Sequence, residues 1–293
     1  GLHRKHWKEG VEIISDVVMN PLFDASEVEQ EKGIVTQEIG EYRDEDGRNI
    51  SSAELRYGLL FKEEMDELGT RGSTEIIKKF DSEAVKECYK RFFNPGNMVV
   101  SLAGAFDFEQ VCSFLDEGLG SIPGGGETPE IIEGEVTRQR ARSLFRNTQR
   151  KPVISVQLSY KAYPIQDERF GAMLAISHIL GGGLSSRLFS HVREELGLVY
   201  QVSCRPKLYS DVGTLNISLT VGPDNLIEAT GSTLGVLEEL VEEGVKEEEL
   251  ESYKETVRCS MDIMCDNPDR LAEYMGRQEL LVSSDKVRTP DQF

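Results

Sequence analysis

The chain has 293 residues, with 52 acidic and 33 basic side chains, and therefore a formal net charge of −19. This is the length of about two domains at roughly 100–200 residues per domain, and 39% hydrophobic residues are enough for real cores. The negative charge argues against a nucleic-acid-binding protein, because a phosphate backbone repels a net anion. No apolar stretch approaches the roughly 20 residues of a membrane-spanning helix, so no membrane partner is predicted.

The cysteines indicate the compartment. They are odd in number and scattered along the chain, which is typical of reduced thiols and not of a disulfide framework or a zinc knuckle. We therefore predict a cytoplasmic protein, or one of an organelle matrix if the source is eukaryotic. The chain opens without an initiator Met and without a signal-peptide pattern, and we expect it to be a piece of a longer protein. The five cysteines are Cys88, Cys112, Cys204, Cys259 and Cys265.

Apolar spacing and turn residues predict mostly helix before residue 122. A helix over Val11–Met19 ends at Asn20-Pro21, because proline disfavours a helical conformation in the residue before it. Asp24 lies three positions before Glu27, the spacing of a capping box, and predicts a second helix to about Tyr42. The later predicted elements are helices over 51–66 and 81–93, the second capped by Asp81, and a buried strand over Met98–Ala103.

A turn-rich segment divides the chain. Ile122–Pro129 is rich in Gly and Pro and predicts a linker. Residues 138–151, which follow it, carry six basic side chains and no acid. They fit either a solvated edge strand or a basic wall that attracts an acidic partner or a presequence. We predict the C-terminal part of a first domain over 1–122, a linker and basic edge segment over 123–150, and a second domain over 151–293.

After the linker, strands are grouped with helices. Gly181–Gly183 interrupts one helix, and Ser185 or Ser186 caps a short helix that ends at Gly197. Because there is no regular strand–helix alternation, the predicted class is α+β with antiparallel sheet. The predicted strands are Val153–Tyr160, Leu198–Cys204 and Thr214–Val221, the last two joined at Asp211–Gly213, and the predicted helices are Asp167–Leu180, 224–243 and 246–280.

An internal repeat is visible at an offset of 222 residues. Placing Glu27–Val35 on Glu249–Val257 gives four identities and matches the apolar stripe. A chance alignment of two Glu/Lys-rich helices is the alternative. If the repeat is real, residues 150–222 map to positions before Gly1 and residues 73–122 to positions after Phe293. The chain would then contain two duplicated copies, both truncated.

Two carboxylates lie on one face of the second predicted helix. Glu31 and Glu38 are seven residues, or two turns, apart, at the edge of an apolar stripe that includes Val35 and Ile39. Carboxylates near a core edge require a compensating cation or metal. Ion pairs with a neighbouring helix and a metal ligand with a supporting carboxylate both fit this pattern. In the second copy Tyr253 and Ser260 take these positions, so the second copy cannot repeat this function.

The carboxylate pair is at most part of a zinc site. A zinc hydrolase normally uses three protein ligands and a water, usually with histidines among the ligands. The chain contains only four histidines, and neither H-E-x-x-H nor H-x-x-E-H occurs. His3 and His6 are too close for two helical turns and have no base between them.

Several motifs together resemble the pitrilysin/insulinase peptidases, family M16, and look closest to the bacterial branch similar to mitochondrial processing peptidase. The resemblance covers nearly the whole chain in the right order, and it implies the LuxS/MPP-like metallohydrolase type of α+β fold, with two duplicated layered domains. The motifs are Asn20-Pro-Leu-Phe-Asp24, Glu31-Lys-Gly-Ile-Val-Thr-Gln-Glu-Ile39, Phe92-Phe-Asn-Pro-Gly-Asn-Met98, Leu180-Gly-Gly-Gly-Leu-Ser-Ser-Arg-Leu-Phe189 and Val192-Arg-Glu-Glu-Leu-Gly-Leu-Val-Tyr200.

The resemblance implies roles for individual residues. Glu38 matches the downstream zinc-ligating glutamate of the family, and Glu31 matches its accompanying acidic residue, which supports the metal site without binding the metal. Arg193 and Tyr200 match an Arg/Tyr pair that binds substrate backbone and stabilises the transition state. Gly181, Gly182 and Gly183 match a glycine-rich substrate loop. The family's H-x-x-E-H motif, which supplies two histidines and the base, is absent.

From this resemblance we predict a fragment of a zinc-dependent metalloendopeptidase that cleaves peptides and unfolded or targeting segments in a closed chamber. The parent protein would use Zn²⁺, whereas this chain alone is predicted to be inactive and to bind no zinc tightly. The predicted partners are a peptide or unfolded protein substrate and a second subunit, in a homodimer or in a heterodimer with an M16 partner. The alternative is a non-catalytic homologue that acts as an assembly or partner subunit.

Overall fold

A computed structural model describes residues 1–61, 72–122, 152–210 and 212–282. The α+β class is confirmed, because the described residues combine helices with a small antiparallel sheet. The predicted linker and basic segment at 123–150, the end of the third predicted helix at 62–66, and Asp211 lie outside these residues. None of the helices in the described ranges is long and apolar enough to cross a membrane. The helices are α1 Trp7–Met19, α2 Ala25–Glu41, α3 Ser52–Phe61, α4 Thr74–Ile77, α5 Ser82–Phe92, α6 Phe108–Leu119, α7 Phe170–Gly181, α8 Leu226–Glu243, α9 Glu247–Cys265 and α10 Pro268–Leu281, and the strands are β1 Ile154–Ala162, β2 Val199–Leu208 and β3 Gly213–Val221.

The contacts within the chain define two compact units. Unit 1 contains Gly1–Gln37, Thr74–Ile131 and Cys259–Phe293, and unit 2 contains Glu38–Ser73 and Ile132–Arg258. Each unit takes segments from both sides of the predicted linker. The domain boundaries at residues 122 and 151 therefore stay a prediction.

Helix packing forms unit 1. Helix α1 lies against α6, where Val11 and Val111 are 6% and 2% exposed, and the ring of Trp7 meets that of Phe114 edge-on at 5.5 Å between centroids. Helix α5 begins at the predicted cap, because the Asp81 carboxylate accepts the backbone N–H of Ala84 at 2.8 Å. The unit is thus held by a small apolar seam between helices.

The predicted buried strand over Met98–Ala103 is wrong. Val99, Val100 and Leu102 are 37%, 49% and 39% exposed. The segment belongs to unit 1, whereas all three strands of the described residues belong to unit 2. A strand is stable only when a neighbour takes its backbone N–H and C=O groups, and an apolar run cannot supply that neighbour.

The prediction of one continuous helix over 246–280 is also wrong. The helix is interrupted between Cys265 and Pro268, so that α9 and α10 are separate. Proline has no N–H for the helical ladder and is favoured in the first turn of a new helix. Asn267 caps α10 by accepting the backbone N–H of Arg270 at 3.2 Å.

The sheet of unit 2 has the order β1-β3-β2, with both pairings antiparallel. The predicted hairpin of β2 and β3 is confirmed. Alternate residues of β3 point to opposite faces. Leu215, Ile217, Leu219 and Val221 are almost fully buried in the main hydrophobic core. The core also contains residues of α7, of the segment that follows it, and of α8, chiefly Leu180, Leu188, Val192, Ala229 and Val236.

Candidate functional site

Glu31 and Glu38 lie on the same helix, as predicted, but both side chains are exposed. Helix α2 buries Ile39, which is 6% exposed, and leaves Val35 half-buried. Neither glutamate forms an ion pair with a side chain in the described ranges, so the alternative of ion pairs with a neighbouring helix is not observed there. Helix α2 therefore presents two exposed carboxylates on one face, two turns apart.

The residues described here do not fit a zinc site on their own. No group of three or more His, Cys, Asp or Glu side chains in the described parts of the chain could hold a metal ion. A zinc hydrolase site requires three such ligands. Glu38 could supply one ligand at most.

The repeat counterpart of Glu31 is packed as an aromatic side chain. The ring of Tyr253 in α9 lies 5.4 Å from the ring of His178 in α7, and burial raises the pKa of the tyrosine hydroxyl. A neutral phenol in contact with an imidazole contributes packing. This position of the second copy therefore differs in chemistry from that of the first.

The three glycines of the predicted substrate loop differ in their surroundings. A Cβ at Gly181 would lie 2.3 Å from the backbone N of Cys204, so glycine is required where α7 approaches β2. A Cβ at Gly182 would meet the backbone of His178 at 2.6 Å. Gly183 has nothing within 4 Å of its Cβ position, and Leu184 beside it is 77% exposed. Of the three, only Gly183 borders open space.

Arg193 lies on a π-helical segment, Phe189–Glu195, that connects the loop to β2. Its side chain is exposed, and its guanidinium carbon is 4.6 Å from the ring centroid of Phe189. His191 Nδ1 lies 2.8 Å from Glu195 Oε2 on the same segment. Val192 is fully buried, so the segment is anchored in the core. Single π-helical turns occur frequently at functional sites.

Tyr200 lies in a β-bulge. The pairing of β2 with β3 shifts between Val199 and Gln201, and Tyr200 has no partner across the ladder. Its side chain is 63% exposed, although Leu198 and Val199 before it are buried. A bulge changes the direction of a side chain that regular alternation would fix. Arg193 and Tyr200 are therefore two exposed hydrogen-bond donors on a rigid support.

An ion pair that was not predicted from the sequence holds the chain just before the π-helical segment. The guanidinium of Arg187 donates to both carboxylate oxygens of Glu249, at 2.6 and 2.7 Å, and to the carbonyl of Gly244 at 2.9 Å. The side chains are only 11% and 24% exposed. Because the two residues are 62 positions apart, no local pattern indicates this pairing.

Comparison with known proteins identifies the family. Residues 79–257 match the model for the peptidase M16 inactive domain, and residues 2–65 match the model for insulinase, peptidase family M16. The chain belongs to peptidase family M16. It is 25% identical to the uncharacterized zinc protease YmxG of Bacillus subtilis over 97% of this chain and 68% of that relative. It is 27% identical to the uncharacterized zinc protease Rv2782c of Mycobacterium tuberculosis over 92% of this chain and 61% of that relative.

Solved structures of M16 proteins share the fold. A protease from Helicobacter pylori superposes with a TM-score of 0.80 at 14% identity, over 96% of this chain and 68% of that chain. A peptidase M16 inactive domain from Pseudomonas fluorescens gives 0.78 at 17% identity, over 95% and 65%. The chain thus spans about two thirds of the length of these M16 proteins.

Proposed function

We propose that this M16 chain is part of a zinc metalloendopeptidase and contributes substrate-binding groups to it. The observation that carries the proposal is the placement of Arg193 and Tyr200, whose exposed donors flank the buried residues Leu198 and Val199. A guanidinium and a phenol held in fixed positions bind peptide carbonyls and stabilise a developing oxyanion. The names of the relatives as zinc proteases support the same class of reaction.

Three roles for the chain follow from the proposal. Arg193 and Tyr200 contact the substrate, Glu38 is one ligand of the zinc ion, and Glu31 supports the metal site from two turns earlier in the helix. Gly183 lets a peptide approach the loop backbone, whereas Gly181 and Gly182 maintain packing. A complete zinc site would supply an activated water, and the residues described here would orient the peptide.

We propose peptides and unfolded or targeting segments as substrates, bound in a closed chamber. The sheet offers free edges at β1 and β2 in the described region, and an extended peptide can add to such an edge as a further strand. We further propose a dimer, either of two copies or with an M16 partner, in which Arg193 and Tyr200 act on substrate held by the other subunit. A cytoplasmic location remains part of the proposal.

The test uses the complete gene product in a mixing experiment. An R193A subunit and an E38Q subunit, each inactive on a quenched peptide, should together recover about a quarter of wild-type turnover if the pair acts across the dimer, because random pairing makes half the dimers mixed and each keeps one intact site. No recovery in a mixture shown to exchange subunits would contradict the dimer mechanism. Inactivity of the unmodified gene product would contradict the peptidase assignment.

The 293-residue chain itself gives a second test. We expect it to bind zinc weakly and to cleave no peptide, because its described residues do not include three ligands in one place. Calorimetric titration with zinc measures this directly, and a sub-micromolar 1:1 site would contradict the expectation. The alternative function is that of a non-catalytic assembly or partner subunit. It is favoured if the complete gene product lacks an H-x-x-E-H segment.

A further inference from the structure

The sheet of unit 2 has one apolar and one entirely polar face. Residues paired across neighbouring antiparallel strands point to the same side of a sheet. Lys161 and Lys207 both pair with Thr214, and Ser159 and Arg205 both pair with Asn216. The face opposite the core, here called the polar face, consists of Ser155, Gln157, Ser159 and Lys161 of β1, Thr214, Asn216, Ser218 and Thr220 of β3, and Gln201, Ser203, Arg205 and Lys207 of β2.

The polar face is cationic in a strongly acidic chain. It includes three basic residues and no aspartate or glutamate. Arg205 and Lys207 are exposed, and neither forms an ion pair with a carboxylate in the described ranges. A chain with a net charge of −19 thus presents a surface that attracts anions.

Helix α3 packs against β1 and covers one end of this face, where Thr214 is fully buried. Arg56 adds a fourth cation, and its Nη1 donates to Gln157 Oε1 at 3.2 Å. Tyr57 accepts a hydrogen bond from the hydroxyl of Tyr209 at 3.1 Å, and Lys207 Nζ lies 5.1 Å from the Tyr57 ring centroid. Burial opposes ionisation of Tyr57, but hydrogen bonds from Tyr209, and then from Arg56 and Lys207, lower the pKa of its hydroxyl. Helix α3 and the face therefore share a positive potential.

Two buried polar atoms at this face have no hydrogen-bond partner among the residues that the structure describes. They are Nε of Arg56 and Oδ1 of Asn216, whose side chain is 7% exposed. A buried polar atom without a partner is unfavourable, so a ligand or a water that reaches it is favoured. The surface thus offers a donor and an acceptor in addition to its charge.

We propose that the polar face binds an acidic, extended peptide segment. This inference rests on the proposed function, which identifies that segment as a substrate. It predicts that the protein favours peptide substrates with acidic residues. Thr220, opposite Gln201 and next to Tyr200, is six residues from Thr214, or roughly 20 Å along β3. A peptide lying along the β2 side of the face therefore presents acids to the exposed Arg205 and Lys207, about four and six residues from the residue beside Tyr200.

Binding is tested on the 293-residue chain without cleavage. The probe is a fluorescent nine-residue peptide of alternating Glu and Ser, compared with its Gln and Lys counterparts by anisotropy. We expect the Glu peptide to bind about tenfold more tightly than the Gln peptide, and salt near 300 mM to weaken it several-fold. Equal binding of all three peptides would overturn the proposal.

Matched variants locate the site. R205Q/K207Q should weaken binding of the Glu peptide about tenfold, whereas K254Q/R258Q, which removes two exposed cations of α9, should change it less than about twofold. An equal effect of both pairs would mean that net charge alone is responsible and would overturn the proposal. Circular dichroism of both variants confirms that they are folded.

Two further measurements exclude other occupants. Residues 63–67 carry four acids, so the titration is repeated with these acids neutralised, and absence of binding in both backgrounds overturns the proposal. Tighter binding of single-stranded oligothymidine than of the Glu peptide would assign the face to nucleic acid and would also overturn it. Because no cleavage is measured, failure here leaves the peptidase assignment separately testable by turnover of the complete gene product.

Discussion

Arg187 and Glu249 form a two-bonded ion pair that joins the segment before Arg193 to the first turn of α9. The same carboxylate accepts the backbone N–H of Lys246 at 2.8 Å, and Arg187 also reaches the carbonyl of Gly244. The next residue, Leu188, is fully buried. This single, largely buried ion pair thus fixes the turn between α8 and α9. It also fixes the segment that carries Arg193 and leads to Tyr200.

Removing Arg187 should destabilise unit 2. R187A leaves the Glu249 carboxylate largely buried without its partner, and we expect a loss of about 2–3 kcal/mol in the free energy of unfolding. Urea unfolding followed by circular dichroism measures it. R169A is the control, because Arg169 makes the same two-bonded contact with Asp167 from a guanidinium side chain that is 61% exposed, and its removal should change stability little. Equal effects would contradict the importance of burial.

The pair should also give stability a pH dependence. Hydrogen bonds from Arg187 lower the pKa of Glu249 below its ordinary value of 4.5. A carboxyl with a lower pKa in the folded state stabilises the protein above the unfolded pKa and loses this contribution as pH falls through the folded pKa. The free energy of unfolding should therefore fall more steeply below pH 4.5 in the wild type than in R187M. Parallel profiles would contradict the linkage.

Gly181 and Gly183 should respond differently to alanine. G181A places a Cβ 2.3 Å from the backbone of Cys204 and forces α7 away from β2, which should cost about 1–3 kcal/mol. G183A has open space around its Cβ and should leave the free energy of unfolding nearly unchanged. Chemical denaturation compares them directly. A larger loss for G183A would mean that the loop packs differently.

The thiols should differ in reactivity. Cys204 is 2% exposed, and burial raises the pKa of its thiol to about 12. Cys88, Cys259 and Cys265 are exposed. Because the thiolate is the reactive form, these three should react with Ellman's reagent near pH 8 in the folded chain, and Cys204 only after unfolding. Mass spectrometry of the labelled peptides identifies each site, and rapid labelling of Cys204 in the native state would show that the β2–α7 packing is open.

Local signals predicted much of the fold. Helix α2 occupies the predicted range because its start depends on Asp24, whose carboxylate accepts the N–H of Ser26 two residues on. The hairpin of β2 and β3 follows from the alternation of apolar and polar residues, which is regular throughout β3 and in β2 after the bulge. The strand over Met98–Ala103 failed for the opposite reason, since a strand depends on a partner that its own residues cannot specify.

The candidate site was predicted only as a set of residues. Motif spacing places Glu31 and Glu38 on one helix, but their exposure depends on what packs against α2. The bulge at Tyr200 depends on the register of β2 against β3, which is a property of two strands together. The proposed roles of these residues stay predictions.

The sequence by itself determined the M16 family, the α+β class and the alternation that gives the sheet two chemically distinct faces, because these depend on residues close together in the chain. Only the tertiary structure decided that Arg187 pairs with Glu249 and that Lys161, Lys207 and Arg56 gather around one acid-free face. These residues are far apart in sequence, and packing of strands and helices determines which of them share a surface.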